Sequence, residues 1–156
     1  MPYVLESQTP TVEDYCHLRV ATGLSPKTPA AARIGLAATL FAVQIRFDGK
    51  VIGMGRLVGD GGCHCQICDI AVLPQHQGKG LGQQMLQLLI EAAQTQGYHL
   101  LIGGIDASNS GSIALHQKLG FVHSGTITQA GFKFGRWLDL AFYQLVLDTP
   151  LQPVDG

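Results

Sequence analysis

Residues 69–82 read Asp69-Ile70-Ala71-Val72-Leu73-Pro74-Gln75-His76-Gln77-Gly78-Lys79-Gly80-Leu81-Gly82. Pro74 stops a run of β-forming residues, because proline cannot donate to a strand ladder. The three glycines stand where a helix begins. That helix is the clearest in the chain and is predicted over Gly78 to Gln96. Leu81, Met85, Leu88, Leu89 and Ala92 recur on one face of a spiral of about 3.6 residues per turn. Gly97 ends it. Upstream, Cys63 to Leu73 predicts a strand. Downstream, Tyr98 to Ile105 predicts a mostly apolar strand of the kind buried on both sides. Together they make a strand–helix–strand crossover, expected to be right-handed.

Working outward, Pro2 to Ser7 predicts a first strand. Thr9 or Thr11 caps a helix that runs to about Thr22, with Gly23 after it. A loop with two prolines, Leu24 to Pro29, leads to a short helix at Ala30 to Ala38. Thr39 to Phe47 and Val51 to Val58 predict two strands, and Asp48-Gly49 between them is a two-residue hairpin signal. Ser110 to Leu119 predicts a short helix ended by Gly120. Phe121 to Ile127 and Trp137 to Leu147 predict the last strands. The expected class is α/β (α+β). One twisted mixed sheet of six or seven strands carries helices on both faces, in a single domain spanning residues 1–156.

Composition excludes several function classes. Ten basic and eleven acidic residues give a formal charge of −1, so the basic field of a nucleic-acid binder is missing. The longest apolar-rich stretch, Leu36 to Val43, falls short of the roughly 20 residues a membrane helix needs. The N-terminus has neither a basic start nor an apolar core, so a secretory signal is not expected. Reduced thiols and a cytoplasmic location follow as expectations. Cys63-His64-Cys65-Gln66-Ile67-Cys68 invites a zinc reading. Zinc sites normally draw ligand pairs from separate segments, and no second pair exists; buried thiols are the expectation, with no metal.

The glycine loop suggests a ligand. The first turn of a helix leaves amides unpaired and carries partial positive charge. Glycines let an oxyanion approach those amides, so this construction suits a phosphate or pyrophosphate. Three glycines in a first turn would otherwise cost up to about 1 kcal/mol each in helix propensity. The loop is no P-loop, since Leu81 follows Gly80 where that motif needs lysine. Nor is it a dinucleotide fingerprint, whose glycine spacing differs.

The motif Q-x-x-G-x-G, carried by Gln75, Gly78 and Gly80, resembles the acetyl-coenzyme A signature of the GCN5-related N-acetyltransferases, the GNAT superfamily. A second segment resembles that family's N-x-x-S-x-x-L-[YH]-x-x-x-G-F pattern. It comprises Asn109, Ser112 and Leu115, then His116-Gln117-Lys118-Leu119-Gly120-Phe121. The tail from Gly131 to Leu140 is similar to phosphinothricin-type acetyltransferases. The resemblance implies transfer of an acetyl group from acetyl-CoA, as cosubstrate, to a primary amine of a small molecule. It assigns Gln77, Gly78, Lys79, Gly80, Leu81, Gly82 and Gln83 to the pyrophosphate. Ile70, Ala71 and Val72 fall to the pantetheine arm, with Asn109 and Ser112 on its other side. A backbone N–H of the strand, that of Ile70, would polarise the thioester carbonyl.

Transfer to an amine also needs a base and a means of accepting or protonating the thiolate. His116, where relatives often carry Tyr, is the candidate acid and lies by the coenzyme. Strand alternation puts Gln66 and Cys68 on the face of Ile70, with Asp69 opposite. Asp69 or Asp106, directly or through a held water, is the candidate base, with His64 as another holder of that water. Arg19, Arg33, Lys133, Arg136 and Trp137 are candidates for the acceptor side, where a cation suits a substrate carboxylate. The apolar last strand raises a homodimer as a further expectation. A coenzyme A-binding sensor without significant catalysis is the competing function.

Overall fold

The computed structural model describes residues 2–61 and 65–147. In chain order the strands are β1 (Val4–Glu6), β2 (Phe41–Phe47), β3 (Lys50–Gly59), β4 (Cys65–Val72), β5 (Leu100–Asp106), β6 (Val122–Lys133) and β7 (Arg136–Val146). The helices are α1 (Val12–Ala21), α2 (Pro29–Ala37), α3 (Leu81–Thr95) and α4 (Ser110–Lys118). The strands form one sheet in the order β1-β2-β3-β4-β5-β7-β6. Only β4 and β5 pair in parallel among the recorded ladders. This is the expected mixed sheet. α3 supplies the crossover, as the apolar pattern of residues 81–92 required.

Local rules account for most boundaries. Asp48 and Gly49 both take positive φ (49° and 74°), the geometry of a two-residue turn whose twist matches the strands it joins. α3 buries Leu81, Met85, Leu86, Leu89, Ile90 and Ala93. The buried face is rotated from the predicted stripe: Leu88 and Ala92 are half-buried at its margin. Each fully buried Met or Leu there stabilises by about 1.5–3 kcal/mol.

Two orientation markers fix the layers. A Cβ added at Gly55 of β3 would meet Ile70 Cδ1 at 2.7 Å and Leu89 Cδ1 at 3.1 Å, so Ile70 lies on the α3 face. The neighbouring Arg56 reaches Tyr15 of α1 on the other face. α4 shares the α3 face, since a Cβ on Gly82 would lie 3.2 Å from Leu115.

β6 differs from expectation. It runs to Lys133, six residues beyond Ile127, and its register with β7 breaks between Ile127 and Gly131. Most of β6 is exposed, so it lacks the apolar alternation that a sequence reading relies on.

Candidate active site

Three of the four helices among the described residues close their first turn with a side chain. Thr11 Oγ1 accepts from the Asp14 N–H at 3.1 Å, Thr28 Oγ1 from Ala31 at 3.2 Å, and Asn109 Oδ1 from Ser112 at 3.1 Å. α3 has no such cap. Its first intrahelical bond runs from the Gln84 N–H to Gly80 O, 3.1 Å, so the amides of Leu81, Gly82 and Gln83 precede the ladder. Gly78 and Gly80 lie before the helix, with φ of 76° and 77°; only Gly82 is in the first turn. This corrects the picture of three glycines inside the helix. Left-handed backbone, not helix packing, demands glycine at 78 and 80. No atom lies within 4 Å of a Cβ built at either.

The cradle opens on a groove of about 410 Å³. Ile70, Ala71, Val72, Gln77, Gly78, Gly80, Leu81, Gly82, Gln83, Asn109 and Ser112 line it, which brings both sequence motifs to one place. Lys79 is exposed and is not among the lining residues. Thr22, Leu24, His76 and Lys118 line it too and were not singled out. Lys118 was legible: it sits three residues after Leu115 on the same helix face. Thr22 ends α1 without a motif to mark it, whereas Leu24 belongs to the loop Gly23 to Pro29, expected to help form the acceptor pocket.

The groove continues between two strands. β4 and β5 pair at only two positions, Gln66↔Ile102 and Ile67↔Gly103, and then part. The parting begins at a bulge. Arg56 pairs with Cys68 and Met54 with Ala71, so Asp69 and Ile70 together face Gly55. Asp69 has φ 60°. A second cavity of about 100 Å³ fills the gap, lined by Cys68, Asp69, Ile70, Asp106, Asn109 and His116 among others. Leu24, Ile70, Asn109 and Ser112 border both cavities. The uncapped amides and the split strands therefore fit a ligand with a diphosphate at one end and an extended amide arm at the other.

The bulge corrects the predicted alternation. Cys68 and Asp69 share the face of α1, and Ile70 points to α3. The Asp69 carboxylate is buried and ion-paired with Arg19 and Arg56.

His116 is only 2% exposed. Its ring stacks edge-on against Phe121 at 5.1 Å, and a Cβ at Gly103 would lie 3.2 Å from Nε2. Nδ1 is 2.8 Å from Ser112 O. A carbonyl only accepts, so Nδ1 carries a proton and donates it to Ser112 O. Burial pushes the pKa below the ordinary 6.5, against the pull of the Ser112 carbonyl. Burial thus favours the neutral ring over the imidazolium that an acid role would use.

A stability consequence follows. Below about pH 6.5 the unfolded chain binds a proton at residue 116 that the folded chain resists. Stability is complete above that pH and falls as pH drops toward the lower folded pKa. Urea midpoints should decline between pH 7 and pH 5, and His116→Gln should flatten part of that decline. An unchanged slope in the variant would exclude this histidine as the source.

Asp106 ends β5 and lines the inner cavity. Its Oδ1 accepts from the Ser108 N–H at 2.9 Å and from Ser108 Oγ at 2.7 Å. Arg136 Nη2 donates to the same hydroxyl at 3.2 Å. The Lys133 ammonium pKa is lowered by burial and then by Arg19, against Asp106. Lys133 and Arg136 thus lie near Asp106 and Ser108. Arg19 is already committed to Asp69, Arg33 is exposed on α2, and Trp137 packs edge-on against Phe132 while 60% exposed. Cys63 and His64 of the zinc reading lie outside the described residues. Among the described residues no cluster of three metal-capable side chains occurs, and Cys16, Cys65 and Cys68 are free thiols.

Residues 12–121 match the model of the acetyltransferase (GNAT) family. The chain is 48% identical over 94 residues to the L-amino acid N-acyltransferase MnaT of Escherichia coli, an alignment covering 60% of this chain and 55% of that one. It is 53% identical over 79 residues to an L-methionine sulfoximine/L-methionine sulfone acetyltransferase of Pseudomonas paraeruginosa, covering 51% and 46%. The chain thus spans about half the length of the curated relatives it matches. Among solved structures, yncA from Salmonella typhimurium, determined with acetyl-CoA, superposes with a TM-score of 0.78. It is 30% identical and covers 99% of both chains.

Proposed function

Because the chain belongs to the acetyltransferase (GNAT) family, we propose that it is a single-domain N-acetyltransferase. It moves the acetyl group of acetyl-CoA directly to the primary amine of a small, amino-acid-like molecule. The observation that carries this reading is the uncapped start of α3 standing over the two-rung seam between β4 and β5.

Bound acetyl-CoA supplies the activated thioester. The amides of Leu81, Gly82 and Gln83, with the glycine backbone at 78 and 80, hold the diphosphate. Backbone groups of Ile70 and Val72 pair the arm as an added strand does, and the Ile70 N–H polarises the acyl carbonyl. Asp106 keeps Oδ1 on Ser108 and receives the acceptor's first proton at Oδ2, directly or through a water. The second N–H proton leaves as the C–N bond forms and the C–S bond breaks, and it neutralises the departing thiolate. Direct transfer agrees with Cys68, whose thiol is pushed up to about 12 by burial and then by Asp69. It offers no thiolate for an acyl-enzyme.

Relatives named for L-methionine sulfone support an acceptor with a carboxylate, and Lys133 and Arg136, near Asp106 and Ser108, are the cations assigned to it. The exposed edge strand β6, with Val122, Ile127 and Phe132 uncovered, supports a homodimer. The free thiols and the demand for acetyl-CoA support a cytoplasmic setting. The partners are then acetyl-CoA and a small amine, with no nucleic acid.

Incubation with acetyl-CoA and a panel of L-amino acids and L-methionine sulfone should release free thiol, and acetyl-CoA should raise Tm. No thiol from any amine and no rise in Tm would overturn the reading. A rise without thiol would favour a coenzyme sensor, which the engaged Asp69 and the buried His116 support.

A further inference from the structure

The bulge at Asp69 is held by an unusual number of donors from different parts of the chain. Oδ1 accepts from Arg19 Nη1 of α1. Oδ2 accepts from Arg56 Nε of β3 at 2.7 Å, from the Tyr15 hydroxyl of α1 at 3.2 Å and from Cys68 Sγ at 3.4 Å. Three of the four donors crowd Oδ2 and one holds Oδ1, so both oxygens of the carboxylate are engaged. Its side chain is 7% exposed. The two guanidiniums hold it as a charged anchor of the bulge.

The two arginines carry the connection further. Arg19 Nε donates to Ser25 O in the loop after α1, and the Leu24 N–H returns to Arg19 O at 2.8 Å. Leu24 borders both the coenzyme groove and the inner cavity. Arg56 Nη1 donates to Gly35 O of α2 at 3.0 Å and to Thr39 Oγ1 at 2.9 Å. One carboxylate thus ties the bulge of β4 to the loop that walls the acceptor side and to the end of α2. Its backbone is left-handed at φ 60°, a conformation that Asp and Asn accept and most other side chains resist.

We propose that Asp69 is a positioning residue of the transfer site. Its carboxylate, clamped by Arg19 and Arg56, sets the bulge that aims the Ile70 amide into the β4–β5 gap and fixes Leu24 over the acceptor path. The inference rests on the acetyl-transfer reading above and moves Asp69 from proton transfer to geometry. Arg19, a candidate for holding substrate, becomes its partner.

The test compares Asp69→Asn and Arg19→Gln with the parent, using acetyl-CoA and L-methionine sulfone. Asn keeps the left-handed backbone and the size of the side chain. Each variant should lower kcat/KM for the acceptor by at least 30-fold per folded molecule. Acetyl-CoA should still raise Tm, and the acid limb of the pH–rate profile should keep its apparent pKa. The double variant should lose no more than threefold beyond the worse single, because both break one link. Loss of the acid limb in Asp69→Asn would make Asp69 the base and overturn the proposal. So would a kcat/KM within threefold of the parent in either variant. If Asp69→Asn does not fold, Arg19→Gln, which keeps the Arg56 pair, decides by the same criterion. If the parent itself acetylates nothing, the acetyl-transfer reading falls and amide exchange decides the tether. The Ile70 amide should exchange at least tenfold faster in Arg19→Gln than in the parent, and an unchanged rate overturns the proposal.

Discussion

Gly80→Val should abolish coenzyme retention. The rise in Tm on adding acetyl-CoA should vanish, and Kd by calorimetry should rise at least about 100-fold, or roughly 2.7 kcal/mol. Two effects combine. Gly80 holds φ 77°, and a β-branched side chain in left-handed backbone costs of order 1–3 kcal/mol. The chain would relieve that strain by rotating the peptide units that present the α3 amides. The valine would also stand in the open space above the cradle, where a diphosphate must approach. Gly80→Ala should fall between valine and the parent. Retention of acetyl-CoA by the valine variant at the parent's Kd would contradict the assignment of these amides, and with it the reading of the groove.

Asp106→Asn should have the second-largest effect, a fall in kcat of about 10² to 10⁴, the usual scale for removing a general base. The substitution isolates the charge. An Asn oxygen can still accept from the Ser108 N–H and Oγ, so the turn after β5 and the hold of Ser108 on Arg136 should survive. Tm and the Kd for acetyl-CoA should stay close to the parent's, while the acid limb of the pH–rate profile disappears. A kcat within threefold of the parent would remove Asp106 from proton transfer. Paired with Asp69→Asn, the result is diagnostic: both carboxylates matter, but only one should take the titration with it.

Much of this was readable in the chain because it depends on short-range rules. The α3 pattern, the Asp48-Gly49 turn, the Thr11 cap and the two glycine-containing motifs all follow from residue spacing. What failed to show has physical causes. Period-two alternation assigns faces only in an unbroken ladder, and a left-handed aspartate at position 69 breaks it, moving Cys68 and Asp69 to one side. The far half of β6 pairs with β7 through backbone bonds while its side chains meet water, so no apolar rhythm marks it. Its turn uses Phe134 and Gly135, both at positive φ, and phenylalanine is not a residue that announces such a turn. The state of His116 depends on burial against Gly103 and Phe121, contacts between separate elements that no local pattern encodes. Leu24 reaches both cavities through the Arg19 link, which likewise needs the folded chain.

The two rungs joining β4 to β5 have a mechanical meaning. The chain is a pair of half-sheets riveted at one end, β1 to β4 on one side and β5 to β7 on the other. A molecule lying in the gap as an extra strand would knit them into one continuous panel. Loading would then stiffen the entire body rather than a local patch, and amides along the facing edges of β4 and β5 would slow their exchange together.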